Sequence, residues 1–409
     1  MGMSKALITP EGLGESLQVA IGQVLEQVPG CTMRPTDLSR RLGVSRAIVS
    51  RTMSAIKRES VIETLTSIPG PESLRTIVLA ASVAGVCEEE VQAAIEAIDS
   101  FAEMIREQYG TRTAFNAALS VDHDDAREKF EQANRYKVYK GMTHILGVEC
   151  KLWLSCTIRM PSDHIEGCED LVCLTTVAGP SGLRRLRPDM PIYLNHRRPV
   201  KHKHGSQDPM AAKPVDIKGF YTHPPAELKN FEFNGQTVNT FNPDIQGKND
   251  CYDMFEGITV HVSDYHKSKP DFLYRGTSTM PDPPAMSLVI DSINHRDVLS
   301  GIKPELYVYR TLGRGLAKLK DPARERDLVV VDEEIVDCGM GISKLALSEF
   351  PLYTDMIEHI CEQRGFHPDE FQVHRIQIPY PVYGFQYLIA YRLQDAEWSK
   401  IDSNQERDE

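Results

Sequence analysis

The chain has 409 residues and a formal net charge of −12, with 41% hydrophobic and 25% charged residues. These fractions are ordinary for a globular protein and exclude global disorder. The length suggests two or three domains. The acidic charge of the whole chain argues against a nucleic-acid-binding protein, which usually presents a basic face, but it is compatible with a small basic domain inside an acidic chain.

The termini and cysteines predict a cytoplasmic protein without a membrane segment. No stretch approaches the roughly 18 apolar residues of a transmembrane helix. The first 30 residues lack the basic and apolar regions of a signal peptide, since Lys5, Glu11 and Glu15 interrupt the apolar positions. The nine cysteines are dispersed and odd in number, so reduced and mostly buried thiols are expected.

The first 146 residues are predicted to be mostly helical. Apolar residues at positions 17, 20, 21, 24, 25 and 28 form one helical stripe, which ends at Pro29-Gly30. Pro35 suits the first position of a second helix, which should end before Gly43. A third helix is predicted over residues 46–58, with Ser45 as its N-cap.

Further helical patterns cover residues 72–84, 88–109, 124–133 and 136–146. The second of these carries a continuous apolar stripe on one face, formed by Val91, Ile95, Ile98, Ala102 and Ile105. This stripe is a candidate seam between subunits. The alternative is that it packs inside the core of its own domain.

From about residue 148 the pattern changes to β-strands. Segments rich in β-forming residues occur at 150–159, 170–177, 191–194, 258–262, 287–291, 305–310, 327–336 and 372–393. The only long helix candidate here is 353–364. Because strands follow one another with few intervening helices, antiparallel pairing is favoured over a doubly wound parallel sheet.

The sequence therefore predicts a multidomain α+β protein. A helical domain is expected over residues 1–80, a helical connector or dimerisation region over 81–147, and a β-rich, mixed but mainly antiparallel α+β region over 148–409. The last region is expected to sense a ligand or to mediate assembly.

The most specific motif is Pro35-Thr-Asp-Leu-Ser-Arg-Arg-Leu-Gly-Val-Ser-Arg-Ala-Ile-Val-Ser-Arg-Thr-Met-Ser54. Two helices that meet through a short turn need a small, flexible residue at the bend, which Gly43 supplies. The inner face is formed by Leu38, Leu42, Val44, Val49 and Met53. This pattern resembles the helix-turn-helix domain of bacterial transcription regulators over residues 15–78. Thr52 departs from the family, in which an aliphatic residue is usual at that place.

The outward face of the motif gives the candidate DNA contacts: Arg40, Arg41, Ser45, Arg46, Ala47, Ser50, Arg51, Ser54, Lys57 and Arg58. The resemblance implies that early residues of the second helix reach base edges in the major groove. Arg46 and Arg51 suit bidentate bonds to guanine, and the serines at 45 and 50 suit base or phosphate. Arg40, Arg41 and Arg58 suit phosphate contacts.

The local charge agrees with DNA binding. Residues 31–60 carry seven Arg or Lys against two acidic residues, a net +5 that leaves −17 for the other 379 residues. The resemblance implies a homodimer on two half-sites of double-stranded DNA about 34 Å apart, and a higher homo-oligomer is the alternative assembly. A small-molecule effector is a further candidate partner, and no cofactor or metal is expected. The alternative is that this basic unit packs against another protein.

Residues 61–78 leave two interpretations open. The Ile68-Pro-Gly-Pro71 turn lies where the hairpin of a winged helix would turn. However, Leu65, Ile68 and Leu74 are more apolar than a solvated wing requires, and Leu74 to Val83 is also compatible with a helix.

A second basic cluster is formed by Arg184, Arg185, Arg187, Arg197, Arg198, Lys201 and Lys203. It is either an anion or nucleic-acid site or a solvated loop, and the loop is favoured. Four histidines share the region: His196, His202, His204 and His223. The neighbouring lysines repel a cation, so these histidines do not predict a metal site.

No catalytic motif is complete. The Tyr-x-x-x-Lys spacing at 136–140 lacks the glycine-rich turn of short-chain dehydrogenases, and the glycine pairs at 313–315 and 339–341 do not complete a phosphate-binding loop. We therefore interpret the chain as a sequence-specific DNA-binding transcriptional regulator rather than an enzyme. The alternatives are an enzyme or small-molecule-binding protein with an accessory helix-turn-helix, and a structural assembly protein.

Overall fold

The structure is a computed structural model that describes residues 9–30, 33–121, 124–162, 170–187, 192–194, 212–221, 229–233, 236–241, 251–267, 273–311 and 314–393. The chain divides into two compact units, Met1–Asn134 and Arg135–Glu409. Helices dominate the first unit and a mixed sheet dominates the second, so the predicted multidomain α+β class is confirmed. Within the described ranges, no helix is long and apolar enough to cross a membrane.

The N-terminal unit is built from helices. They are α1 (Pro10–Glu26), α2 (Pro35–Leu42), α3 (Arg46–Ile56), α4 (Val61–Ser67), α5 (Pro71–Val83), α6 (Glu88–Met104), α7 (Arg112–Val121) and the first part of α8 (Asp124–Leu146), with a π-helical turn at Ile105–Tyr109. Helices α1, α2 and α5 begin with proline. The N–H that proline lacks would have no intrahelical acceptor at this position.

One hydrophobic core runs through this unit, from Leu13 to Leu119. The division expected at residue 80 therefore does not separate two cores. The apolar stripe of α6 belongs to the same core, because Ile98 is fully buried and Val91 and Ile95 pack against the cluster. The candidate subunit seam is thus part of the domain interior, and the intradomain alternative for this stripe is confirmed.

The wing is the clearest correction in this unit. Residues 61–78 form α4 and the first part of α5 instead of a hairpin. Ile62, Leu65, Leu74 and Ile77 are at most 2% exposed, so their helical spacing buries one face of each helix. The expected hairpin turn instead separates two helices, and Pro71 begins the second of them.

The described part of the C-terminal unit contains the end of α8, the strands and one further α-helix. The strands are β1 (Val148–Pro161), β2 (Val172–Ser181), β3 (Arg184–Arg185), β4 (Ile192–Leu194), β5 (Lys213–Pro214), β6 (Lys229–Phe233), β7 (Gln236–Phe241), β8 (Glu256–Val262), β9 (Tyr274–Thr279), β10 (Ala285–His295), β11 (Pro304–Arg310), β12 (Leu328–Val329), β13 (Val336–Met340), β14 (Phe371–Pro379) and β15 (Phe385–Arg392). The helix is α9 (Tyr353–Glu362). The predicted strand 327–336 is wrong, since residues 330–335 separate β12 from β13.

Three sheets are present in the described part of this unit. The largest has the strand order β13-β14-β10-β1-β2-β8-β5, with β3 also paired to β1. The second has the order β12-β11-β15-β9, and the third β4-β7-β6. Most neighbours are antiparallel, as predicted, but the central pair of β1 and β10 is parallel.

The two faces of the largest sheet bury different cores. Alternate residues of β1, such as Leu154 and Ile158, join the cluster formed with α9. The intervening Trp153 joins the cluster that contains Tyr387 and Ile389 of β15. The large sheet is therefore covered by α9 on one side and by the second sheet on the other, as the alternation of strand side chains requires.

The described cysteines agree with the expectation of reduced thiols. Seven of the nine lie in described ranges, all seven are free, and five are buried: Cys150, Cys156, Cys173, Cys338 and Cys361. Burial raises the pKa of the Cys361 thiol to about 12, which keeps it protonated and unreactive.

Candidate nucleic-acid interface

The turn between α2 and α3 is fixed by backbone conformation and by one side chain. Gly43 has a left-handed φ of 64° and its N–H bonds the Ser39 carbonyl, as at many helix C-termini. The Val44 N–H donates to the same carbonyl at 3.2 Å, and the Ser39 hydroxyl donates to the Val44 carbonyl at 2.7 Å. The predicted helix end and the role of Gly43 are confirmed.

The inner face of α2 and α3 is buried as predicted. Leu38 and Val49 are completely buried and Met53 is 4% exposed. Thr52, the departure from the family pattern, is also completely buried. Its hydroxyl donates to the Ile48 carbonyl at 2.9 Å, so the polar group is satisfied within α3.

The outward positions all reach solvent. The ten candidate contact residues are exposed: Arg40, Arg41, Ser45, Arg46, Ala47, Ser50, Arg51, Ser54, Lys57 and Arg58. We call residues 34–58 the basic segment. Its seven basic side chains, at positions 34, 40, 41, 46, 51, 57 and 58, are all exposed and form a solvent-accessible positive surface in an acidic protein.

The two arginines predicted to contact bases differ in whether their guanidinium groups are already hydrogen-bonded within the protein. Arg46 lies in the first turn of α3 and makes no hydrogen bond or ion pair with any described residue. Arg51 donates from Nε to the Ser67 carbonyl at 3.0 Å, at the end of α4. The Nε donor of Arg51 is thus occupied by a bond within the protein, so Arg46 is the more available side chain for a bidentate contact.

The arginines predicted to meet phosphates have only weak partners. Arg40 is 78% exposed and lies 3.8 Å from Asp37. Arg58 is 42% exposed and lies 3.4 Å from Glu63. Exposed ion pairs of this kind contribute little free energy, so neither pairing keeps these guanidinium groups from a phosphate.

Ser45 occupies the N-cap position of α3, but its hydroxyl makes no capping hydrogen bond. The prediction of its place is confirmed, whereas the prediction that it caps the helix through its side chain is wrong. The first N–H groups of a helix lack intrahelical partners. Together with the free Ser45 hydroxyl, those of α3 offer hydrogen-bond donors beside Arg46.

Sequence reasoning missed Arg112, which fixes the elements behind the basic segment. Its guanidinium donates to the carbonyls of Leu65 and Ile68 and stacks 4.7 Å above the ring of Phe101. Burial, followed by the charge of Arg51, lowers the pKa of Arg112 to about 10. No local signal identifies this residue, because its partners lie about 45 positions earlier in the chain.

The weaker sequence constellations gain no support as sites. Arg184 forms an ion pair with Glu149, and Arg185 donates to the Arg187 carbonyl. The remaining basic and histidine positions lie outside the described residues: Arg197, Arg198, Lys201, Lys203, His196, His202, His204 and His223. The described ranges contain no group of three or more side chains placed to hold a metal ion.

A cavity of about 350 Å³ lies in the C-terminal unit. It is lined by Met280, Pro281, Asp282, Thr311, Gly315, Leu316, Tyr383 and Gly384. Among the described residues that line it there is one carboxylate and no histidine, so these residues do not bring together the acid and base groups expected of a hydrolytic or proton-transfer site.

No protein-family model matches the chain, and no curated protein matches it. Its function is therefore inferred from its own residues.

Proposed function

We propose that this protein is a sequence-specific DNA-binding regulator whose basic segment contacts the major groove. The observation that carries the proposal is the surface of α3. Arg46, Ala47 and Ser50 are exposed on its first turns, while the opposite side of the helix, at Val49 and Met53, is buried in the core. A helix supported from behind, with small and cationic side chains in front, suits insertion into a groove.

Each exposed position has a role in this proposal. Arg46 has the free fork that bidentate recognition of guanine requires. Ser50 and Ala47 are small enough to let the helix approach base edges. Arg41 and Lys57, near the ends of α2 and α3, contact the phosphates that fix the register of the protein on the duplex.

The remainder of the chain limits how the protein meets DNA. The −17 charge outside residues 31–60 repels a polyphosphate, so contact is confined to the basic segment. With few phosphate contacts, affinity for unrelated DNA is low and discrimination depends on base contacts.

Selection from a random duplex pool tests this proposal without knowledge of the natural target. The full-length chain is used because the basic segment shares its core with Ile98, Phe101 and Phe115, which a fragment ending at residue 80 would lose. We expect the wild type to enrich a defined sequence. Arg46→Ala should lose or relax one position of that sequence, since a good base contact is worth about 1–3 kcal/mol.

Arg106→Ala is the matched control. Arg106 lies in the same unit, is 75% exposed and pairs with its neighbour Glu107, and its removal changes the net charge by the same amount. We expect this variant to enrich the wild-type sequence. If no sequence is enriched, or if both variants reduce enrichment equally, the basic segment does not read DNA. A protein partner on this surface would then be the better explanation.

A further inference from the structure

The C-terminal unit buries a positive charge that no described carboxylate balances. Arg159 lies near the end of β1 and has no exposed surface. All of its hydrogen-bond partners are neutral. They are the Tyr265 hydroxyl, 2.8 Å from Nε, and the Ser292 hydroxyl and Asn294 amide oxygen, 2.6 and 3.0 Å from Nη1. Its Nη2 atom is buried and has no hydrogen-bond partner among the residues that the structure describes.

Arg375, whose side chain is 12% exposed, shows how a largely buried guanidinium is paired on the neighbouring strand β14. Arg375 donates from Nε and Nη2 to the two carboxylate oxygens of Asp291, both at 2.7 Å. Asp291 lies on the face of β10 that meets α9, where Tyr353 also donates to it. The carboxylate nearest in the strand order is therefore already used on the opposite side of the sheet.

Arg159 uses the same fork incompletely. Its Nε atom donates to the neutral hydroxyl of Tyr265, whereas the adjacent Nη2 atom has no hydrogen-bond acceptor among the described residues. Tyr265 is 2% exposed, accepts from Arg159 and donates its own O–H to no described residue. Two donors, Nη2 and the Tyr265 hydroxyl, are therefore left beside one uncompensated charge.

The described groups that bond around Arg159 do not supply a negative charge. Tyr391 and Asn294 are almost completely buried and are joined to each other by a 2.9 Å hydrogen bond. Tyr391 also contacts Nδ1 of half-buried His374 at 3.1 Å. Every group in this network is neutral or cationic. A fully buried charge without a counter-charge carries a large desolvation cost, which a bound anion would offset.

We infer that Arg159 and Tyr265 form the core of a binding site for a small monovalent anion, a halide ion or the carboxylate of a small organic acid. A single negative charge balances the single uncompensated guanidinium. The occupant is small because the residues around it are buried. It accepts from Nη2 of Arg159 and from the Tyr265 hydroxyl, which completes the fork as Asp291 completes that of Arg375.

The site is tested on the full-length protein by thermal unfolding at constant ionic strength. Gluconate, too bulky for an enclosed site, is replaced stepwise by chloride in one series and by formate in another. An anion that binds only the folded state raises the unfolding midpoint with the logarithm of its concentration. We expect the wild type to show this rise with chloride, with formate or with both. The anion that produces the rise identifies the kind of occupant.

Two variants connect the effect to the site. Arg159→Gln should abolish the anion dependence, whereas Arg364→Gln, which removes an exposed charge, should retain it. If Arg159→Gln does not fold, Tyr265→Phe keeps the ring and removes one donor, so the apparent affinity should fall by about tenfold. Where chloride gives the rise, bromide in crystals should give an anomalous peak within hydrogen-bond distance of Nη2, and a water in that place would overturn the inference. A wild type insensitive to both anions, or equal sensitivity in Arg159→Gln, would also overturn it.

Discussion

The Ser39 hydroxyl donates a 2.7 Å hydrogen bond to the Val44 carbonyl across the turn between α2 and α3. This bond joins the last turn of one helix to the residue that precedes the N-cap of the next. Val44 is 8% exposed and belongs to the core. The angle at which α3 leaves the turn is therefore fixed from both sides, by a polar bond and by an apolar contact.

Gly43 should be the most sensitive backbone position of this turn. Its φ of 64° is unfavourable for any residue with a Cβ, but an added Cβ would meet nothing within 4 Å. Gly43→Ala should therefore lower the free energy of unfolding by about 1 kcal/mol through conformation alone. Gly22 in α1 also has open space around it but lies inside a helix, so Gly22→Ala should raise stability by a similar amount. Equal effects in chemical denaturation would contradict this account.

Two completely buried threonines, Thr52 and Thr64, should differ in how much stability they lose on substitution by valine. The Thr52 hydroxyl bonds only a carbonyl of its own helix, so Thr52→Val should leave stability unchanged or raise it by less than about 1 kcal/mol. The Thr64 hydroxyl accepts from Gln18 at 2.6 Å and donates to the Ala55 carbonyl at 3.0 Å. Thr64→Val should cost about 1–3 kcal/mol because it removes two hydrogen bonds, each worth about 0.5–1.5 kcal/mol. Denaturant titration compares the two variants, and a larger loss for Thr52→Val would refute the assignment.

The buried pair under α9 should be costly to break and less costly to replace. Arg375 and Asp291 make a bidentate contact, and Asp291 has no exposed surface. Asp291→Ala should lower the free energy of unfolding by about 3–5 kcal/mol because it leaves the charge of the largely buried Arg375 guanidinium without a counter-charge, although its bonds to the Lys344 and Leu345 carbonyls remain. The double variant Asp291→Leu/Arg375→Met should lose less than this single variant. A loss in the double variant that equals or exceeds the loss in Asp291→Ala would contradict this account of the pair.

Stability should fall as the pH drops below neutrality, with His374 as a contributor. Burial lowers the pKa of His374, the nearby Arg159 charge lowers it further, and Asp337 opposes them. The unfolded chain therefore takes up this proton at a higher pH than the folded chain. Consequently the free energy of unfolding decreases from about pH 6.5 downward until the folded-state pKa is passed. His374→Gln should flatten that dependence between pH 7 and pH 5, while the exposed His144→Gln should not. Parallel curves for wild type and His374→Gln would contradict the assignment.

The sequence predicted the local features of the basic segment well. Three of these features are Pro35 at the start of α2, Gly43 after its end and the start of α3 at Arg46. Each depends on residues that are adjacent in the sequence, so a short stretch of sequence is enough to predict it. The alternation of buried and exposed positions followed from the same short stretches. The wing failed because an apolar run beside a Pro-Gly-Pro turn fits either a hairpin or two helices, and only packing against the rest of the core decides between them.

The features missed by sequence reasoning depend on distant contacts. The parallel pairing of β1 with β10 joins Arg159 to Asn294, which are far apart in the chain. Arg159 itself was one residue in a strand-like run, and nothing nearby indicated that it is buried without a carboxylate. The hydrogen bond from Arg51 to the Ser67 carbonyl cannot be predicted from the motif either. It leaves Arg46 as the arginine that is more available to contact a base.

The salt dependence of DNA binding tests the central claim most directly. The logarithm of the binding constant of the full-length chain for its selected duplex should fall linearly with the logarithm of salt concentration, with a slope of about −0.9 per neutralised phosphate. Arg41→Gln should reduce that slope by about one and weaken all sequences alike, whereas Arg46→Gln should mainly erase the preference for the selected duplex. Arg106→Gln should change neither. A slope near zero, or equal effects of all three substitutions, would contradict DNA recognition by the basic segment.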